Sequence, residues 1–294
     1  MGLGLKFNPK PKPKHCKIYF FIYLNWLLKV WGWIFVSYVF KVPFRENNKL
    51  KQIMLSIQQD SLLKGFWKCS NVMAIERLGY SDHGRTHVKI VANLALKLLR
   101  LLVKNGVEPS IVKDYKMNAE DSEVIVVLGS IFHDLGMIVQ RNDHEKYGVL
   151  VALKFLDKYL NGIYSLGEQA IVISEVLHCV VSHEQPNNPL TVEAAIVGIA
   201  DALDMASGRA RIPFEAGKVG IHSVSALSIQ NVEIIEGGDK PITVKVTMSD
   251  SAGIFQIDQL LKPRIENSGL HDLIHVIAEV IEGTEPCAIS RFEV

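Results

Sequence analysis

The stretch Gly129–Val139 reads GSIFHDLGMIV, placing an imidazole and a carboxylate side by side in an apolar run. An unpaired charge buried there is costly, so Asp134 must be neutral, paired or bound to a cation. A metal ion meets both demands: it offers positive charge to the carboxylate and takes a lone pair from a neutral imidazole. Two other segments carry similar groups. His87 leads the stripe Val91, Leu94 and Leu98, and Asp201 sits in the apolar stretch GIADALDM. His87, His133, Asp134 and Asp201 thus read as metal ligands drawn from three segments. Neighbouring residues on a helix diverge by about 100°. His133 and Asp134 can therefore share an ion only from a locally bent segment, which Gly129 and Gly136 permit.

The elements that must hold these groups are helical by period. The first runs through THVKIVANLALKLLRLLVKNG and stops at Gly106. DSEVIVVLGSIFHDLGMIV is apolar on every side, as a central helix would be, with Asp121 and Ser122 as candidate caps. A third helix in DHEKYGVLVALKFLDKYL puts His144, Tyr147, Val151 and Phe155 on one face. GEQAIVISEVLHCVVSH is the fourth, halted by Pro186 and Pro189, and LTVEAAIVGIADALDMASG the fifth, ending at Gly208. Five helices with short polar connections predict an α-helical bundle.

The order H…HD…D, present as HVKIVA, FHDLG and ADALD, resembles the HD superfamily of metal-dependent phosphohydrolases over about residues 80–210. The resemblance implies an HD-type helical bundle and hydrolysis of a phosphoester. Members that cleave phosphodiesters add histidines that bind a second metal. Here those positions are His144, in DHEKYG, and His183 and His178, in VLHCVVSHEQ, with Asp134 as the bridging carboxylate. His178 is the hardest to place, because five residues along a helix turn it about 140° from His183. The sequence is similar to an archaeal-type subgroup that includes the dihydroneopterin 2′,3′-cyclic phosphate phosphodiesterase of methanopterin biosynthesis. That similarity implies Fe(II), with Mn(II) as the alternative, one or two ions per chain, and a cytoplasmic enzyme. Two other readings stand beside it: a nucleotide or cyclic-nucleotide phosphohydrolase, and a non-catalytic ligand-binding regulator.

A phosphate also calls for cationic side chains. Arg209, Arg211 and Lys218 follow Asp201 closely, and Arg85 precedes His87; the guanidinium fork suits phosphate oxygens. Glu145 is a candidate proton donor to the leaving oxygen, and Asp134 belongs to the catalytic set. Asp204 reads as a cap or ion-pair partner. His15, His222, His271 and His275 read as ordinary polar residues.

The rest of the chain frames this bundle. After RARIPFEAGK the period becomes strand-like: SALSIQNVEII and PITVKVTM flank the hairpin signal EGGDK. IDQLLKPRIENSGLHDLIHVIAEVI is helical in period, with Pro263 near its start or at a kink, and AISRFEV is a last strand. The expected fold is mainly α, an HD-type bundle followed by a small ββαβ appendage. Its divisions are residues 1–53, 54–214 and 215–294. The first 53 residues are basic, then apolar over 18–44, long enough for a bilayer span. Asn25 and Lys29 oppose that, a mid-bilayer lysine costing about 2.5–3.5 kcal/mol. The competing expectation is a start at Met54.

In its 294 residues the chain has a formal net charge of +1 and is 48% hydrophobic. Those values argue for a globular protein and against a nucleic-acid binder working through a broad basic surface. Cys16, Cys69, Cys179 and Cys287 form no CxxC and read as free packing thiols. The partners expected are a small phosphoester, membrane contact through residues 18–44 alone, and further copies of the chain in a homo-oligomer.

Overall fold

The computed structural model describes residues 40–206, 221–281 and 291–293. Helices α1 (Asn48–Gln59) and α2 (Ser61–Asn71) meet at Asp60. Its carboxylate accepts the Leu62 and Leu63 N–H groups and so starts α2. There follow α3 (Arg85–Lys104), a short α4 (Ser110–Tyr115), α5 (Ala119–Phe132), α6 (His144–Leu160), α7 (Leu166–Ser182) and α8 (Val192–Leu203). The helix between two α-helical neighbours that is apolar all round is α5, and it packs against α3, α7 and α8. Val124–Leu128, Ile131 and Phe132 are fully buried there. Its N-cap is Asn118 rather than Asp121 or Ser122. Asp121 instead reaches back to accept the Asn118 N–H at 3.0 Å, while also taking Lys49 and Tyr164.

Two helix faces differ from the periodic reading. On α6 the buried line is His144, Gly148, Ala152, Phe155 and Tyr159, so Tyr147 and Val151 are turned aside. Gly148 allows α6 to approach Val180 of α7 closely, which draws that line inward. α8 stops at Leu203, before Gly208, which lies outside the described residues. The backbone of Asp204 leaves the helical region there, at φ −80° and ψ 58°.

Beyond α9 (Ile221–Ser228) the chain forms a four-stranded sheet in the order β1 (Ile229–Glu236), β2 (Ile242–Met248), β3 (Ile274–Val280), β4 (Arg291–Glu293). SALS, expected as strand, belongs to α9. The hairpin at EGGDK is present, β1 and β2 being antiparallel. The larger correction is β3: IHVIAEV was expected to continue a helix, giving ββαβ, and is a strand, giving ββαββ. Its burial alternates, and Gly269 at φ +71° lies between the helical run and the strand. Because β2 and β3 are parallel, a crossover must join them. That crossover includes a π-turn at Ile257–Leu261 and α10 (Lys262–Glu266), with Pro263 in the first turn of α10. It lays α10 against α8, while β1 and β2 touch α3.

The boundary expected at residue 54 falls inside α1, whose Leu50, Ile53, Met54 and Ile57 are all buried. The apolar segment 18–44 lies outside the described residues up to 39. Among those described, no helix is long and apolar enough to cross a membrane. Cys179 is buried against Gly129 and Cys69 is exposed, so only the former is a packing thiol. Cys16 and Cys287 are outside the described residues.

Candidate metal centre

His133 caps the C-terminal end of α5, and Asp134 leaves the helix at φ −93° and ψ 2° before a 3₁₀ turn over Leu135–Ile138. This is the bend that adjacent ligands require. It is held by close packing: a Cβ at Gly136 would overlap the carbonyl oxygen of His144. The His-Asp pair is therefore at a helix end and not within a helix. His87 comes from the first turn of α3, His144 opens α6, His183 ends α7, and Asp201 lies in the last turn of α8. Helix ends from five elements thus converge on one volume.

Within it, Asp134 stands between two pairs of imidazoles. Its Oδ2 is 3.2 Å from Nε2 of both His87 and His133. Its Oδ1 is 3.2 Å from Nε2 of His144 and 3.7 Å from Nε2 of His183. Asp201 Oδ1 joins the first pair, 3.2 Å from His87 and 3.6 Å from His133. His87, His133, Asp134, His144 and His183 are all nearly inaccessible to water.

The outward nitrogens fix how these rings present themselves. Nδ1 of His133 faces the Ser130 carbonyl at 2.8 Å, and Nδ1 of His183 faces that of Val180 at 2.7 Å. Nδ1 of His144 is 3.0 Å from the Arg141 carbonyl, and Nδ1 of His87 is 2.7 Å from Asp204 Oδ2. A proton placed on Nδ1 of His87, His133 and His183 satisfies their acceptors and leaves those Nε2 lone pairs directed inward, while Nδ1 of His144 also meets Arg141 Nη1 at 2.7 Å. The inward atoms then crowd together: Nε2 of His87 and His133 are 3.0 Å apart, and those of His144 and His183 are 3.1 Å apart. Two neutral rings in this tautomer would repel across each pair unless a proton or a cation stands between them, and Asp134 Oδ2 is buried without a hydrogen bond. A cation removes both penalties. Two donor triads meet this need, His87–His133–Asp134 and Asp134–His144–His183, sharing the carboxylate. The donor set fits divalent cations that accept nitrogen and oxygen ligands.

Without an ion, a proton on His133 supplies part of that positive charge. Burial would raise the pKa of Asp134, but His133 and the other imidazoles around it hold its carboxyl well below the usual range. Burial likewise opposes ionisation of Asp201, and Arg264 is the strongest of the groups that reverse this. Burial disfavours charge on His133 as well, yet Asp134 and Asp201 carry its pKa up to about 9. His183 goes the other way, kept neutral by burial and by the rings of His133 and His144.

Not every expected residue joins the cluster. His178 faces away: its Nε2 accepts the Leu190 N–H at 2.9 Å, and burial lowers its pKa, which keeps that nitrogen an acceptor. The rotation between residues 178 and 183 on α7 explains the separation. Glu145 is buried beside Nδ1 of His144 at 3.7 Å, the ring edge turned from the cluster. Arg85 opens α3, about 200° around the axis from His87. Arg209, Arg211 and Lys218 lie outside the described residues, as does the side chain of His222.

The structure also adds residues that sequence spacing does not single out. His83 lies in the loop just before α3, its ring 5.9 Å from that of His87 and half-buried, close enough for its charge to act on Asp134. Arg141 and Arg264 bracket Glu184, at 2.9 and 3.8 Å. His83 was in plain view at i−4 from His87. Arg264 had no local signal, since it arrives from the crossover of the sheet.

Comparison with known proteins agrees with this geometry. The family described as HD domain matches residues 83–206. The chain is 45% identical over 244 residues to the uncharacterized protein MJ1020 of Methanocaldococcus jannaschii, covering 81% of this chain and 94% of that protein. No solved structure matches it.

Proposed function

Since the chain belongs to the HD-domain family, and so carries a metal-dependent phosphohydrolase domain, we propose that it cleaves a phosphodiester at a two-ion centre. The substrate favoured is a 2′,3′-cyclic phosphate, that of dihydroneopterin being the one the sequence resemblance suggests. The observation that supports this reading most is the Asp134 carboxylate, set with one oxygen toward each imidazole pair. A bridging carboxylate is what brings two ions close enough to act on one phosphate. His87, His133, Asp134 and Asp201 would hold one ion, and Asp134, His144 and His183 the other. Divalent ions bound there would orient the phosphate, promote ionisation of water near neutral pH and offset charge on the leaving oxygen. Fe(II) and Mn(II) both suit such ligands.

The chain's own groups supply the rest. Asp204 and the carbonyls of Ser130 and Val180 keep His87, His133 and His183 in the tautomer that faces inward. His83, half-buried beside His87, is placed to give a proton to the leaving alkoxide, a role better suited to it than to Glu145. Arg209, Arg211 and Lys218 remain the phosphate contacts proposed from sequence.

The test uses full-length protein purified without oxygen and loaded with Fe(II) or Mn(II). It is assayed against cyclic 2′,3′-phosphates, cyclic dinucleotides and nucleoside monophosphates. Ring opening of the cyclic 2′,3′-phosphates, with about two ions per chain, is the expected result. Turnover of monophosphates alone would replace this reading with a nucleotidase. A chain that binds no stoichiometric metal and hydrolyses nothing would be a regulator.

A further inference from the structure

The C-terminal segment, outside the matched residues 83–206, sends one side chain into the metal centre. Arg264 Nη1 lies 3.1 Å from Asp201 Oδ2 and donates to the carbonyl of Gly198 at 3.1 Å. The same nitrogen donates to the carbonyl of His183. One guanidinium therefore joins the backbone of one candidate ligand to the carboxylate of another, across the gap between α7 and α8. Arg264 is largely shielded from water, its side chain 17% exposed. Asp201 turns its second oxygen, Oδ1, toward His87 and His133. With Oδ2 held by Arg264, Oδ1 is the oxygen offered to a cation.

An independent feature points the same way. Parallel pairing of β2 with β3 forces a crossover, and its last helix, α10, packs on α8 and carries Arg264. The planar fork suits this place, because Nη1 faces Asp201 and the backbone carbonyls while Nη2 faces Glu184 at 3.8 Å. A lysine ammonium is a single nitrogen on a flexible stem and cannot serve both sides.

We infer that Arg264 is a positioning residue of the metal centre. It fixes Asp201 and the end of α7, so that the α+β appendage completes an ion site that the helical bundle alone leaves unfinished. The inference rests on the two-ion reading above and gives the appendage a task within it.

The test strips full-length protein with a chelator and titrates it with Mn(II), following free Mn(II) by electron paramagnetic resonance. Thermal melting of the metal-free protein is recorded alongside. Arg264→Ala should weaken Mn(II) binding at one of the sites at least tenfold, and Arg264→Lys should restore only part of it. At the ion site that Asp201 serves, Arg264→Ala in an Asp201→Asn background should change the affinity less than twofold, because there the arginine acts through that carboxylate. Affinity within twofold of wild type in Arg264→Ala would overturn the inference, as would an undiminished tenfold loss at that site in the Asp201→Asn background. If Arg264→Ala fails to fold, Arg264→Lys decides, with a loss of threefold or more expected and wild-type affinity overturning the inference. Failure of the wild-type chain to bind Mn(II), Fe(II) or Zn(II) would instead overturn the two-ion reading itself.

Discussion

His87 Nδ1 lies 2.7 Å from Asp204 Oδ2, while Nε2 of the same ring faces Asp134 and Asp201. A carboxylate behind a ligating imidazole fixes the tautomer and raises the ring's basicity; losing it costs about 10–100-fold in metal affinity. Asp204→Ala should therefore weaken one ion by that factor. Asp204→Asn, which can still accept the Nδ1 proton through its side-chain oxygen, should lose less. Competition with a fluorescent chelator measures both, and an unchanged affinity in Asp204→Ala would remove Asp204 from the site.

Much of this centre was legible in the chain because burial makes polar residues conspicuous. His87, His133, Asp134 and Asp201 stood out as polar groups among apolar ones. The residues that read poorly are those whose partners are distant in sequence. Arg264 reaches Asp201 from 63 positions away, and nothing near Arg264 marks it. β3 read as helix because Ile, Val and Ala fit either period over a short run. Pairing with β2 on one side and β4 on the other decides its state. His178 and His183 looked alike in sequence, and the direction of each ring on α7 separates them.

That separation gives the next prediction. Removing His87 should abolish one ion and spare the other, removing His183 should do the reverse, and Asp134→Ala should abolish both. His178→Gln should retain both ions, since His178 only accepts from the Leu190 N–H. Metal content after anaerobic purification, by mass spectrometry, gives the four numbers. Retention of two ions in Asp134→Ala would break the shared-carboxylate arrangement.

A chain that begins at Met54 should be less stable than one that begins at Lys41. It lacks Asn47, whose side chain caps α1 and donates to the Glu120 carbonyl at 2.8 Å. It also lacks Leu50 and Ile53, both fully buried. A cap contributes about 1 kcal/mol, and each buried aliphatic side chain about 1.5–3 kcal/mol. The melting temperature should fall by about 10 °C or more, measured by circular dichroism on both chains. Equal melting temperatures would show that the first turns of α1 contribute nothing.

Asp60 supplies a prediction about acid. Burial would raise its pKa, but hydrogen bonds from Lys158, the Leu63 N–H and Tyr159 outweigh that and hold it at about 2, against 3.8 for the ordinary carboxyl. A carboxylate whose folded pKa is depressed stabilises the fold above its unfolded pKa and ceases to do so as pH falls through the folded value. The shift corresponds to about 2 kcal/mol at neutral pH. Asp60→Asn keeps an acceptor for the Leu62 and Leu63 N–H groups but removes the charge facing Lys158 and Tyr159. The variant should be less stable than wild type at pH 7 by up to about 2 kcal/mol, since the Leu63 share of the shift is kept. The difference should shrink between about pH 4 and pH 2, because the wild type then loses what the variant already lacks. Urea unfolding of metal-free protein across that range measures it. A gap that stays constant with pH would mean that Asp60 acts through its hydrogen bonds alone and not through its charge.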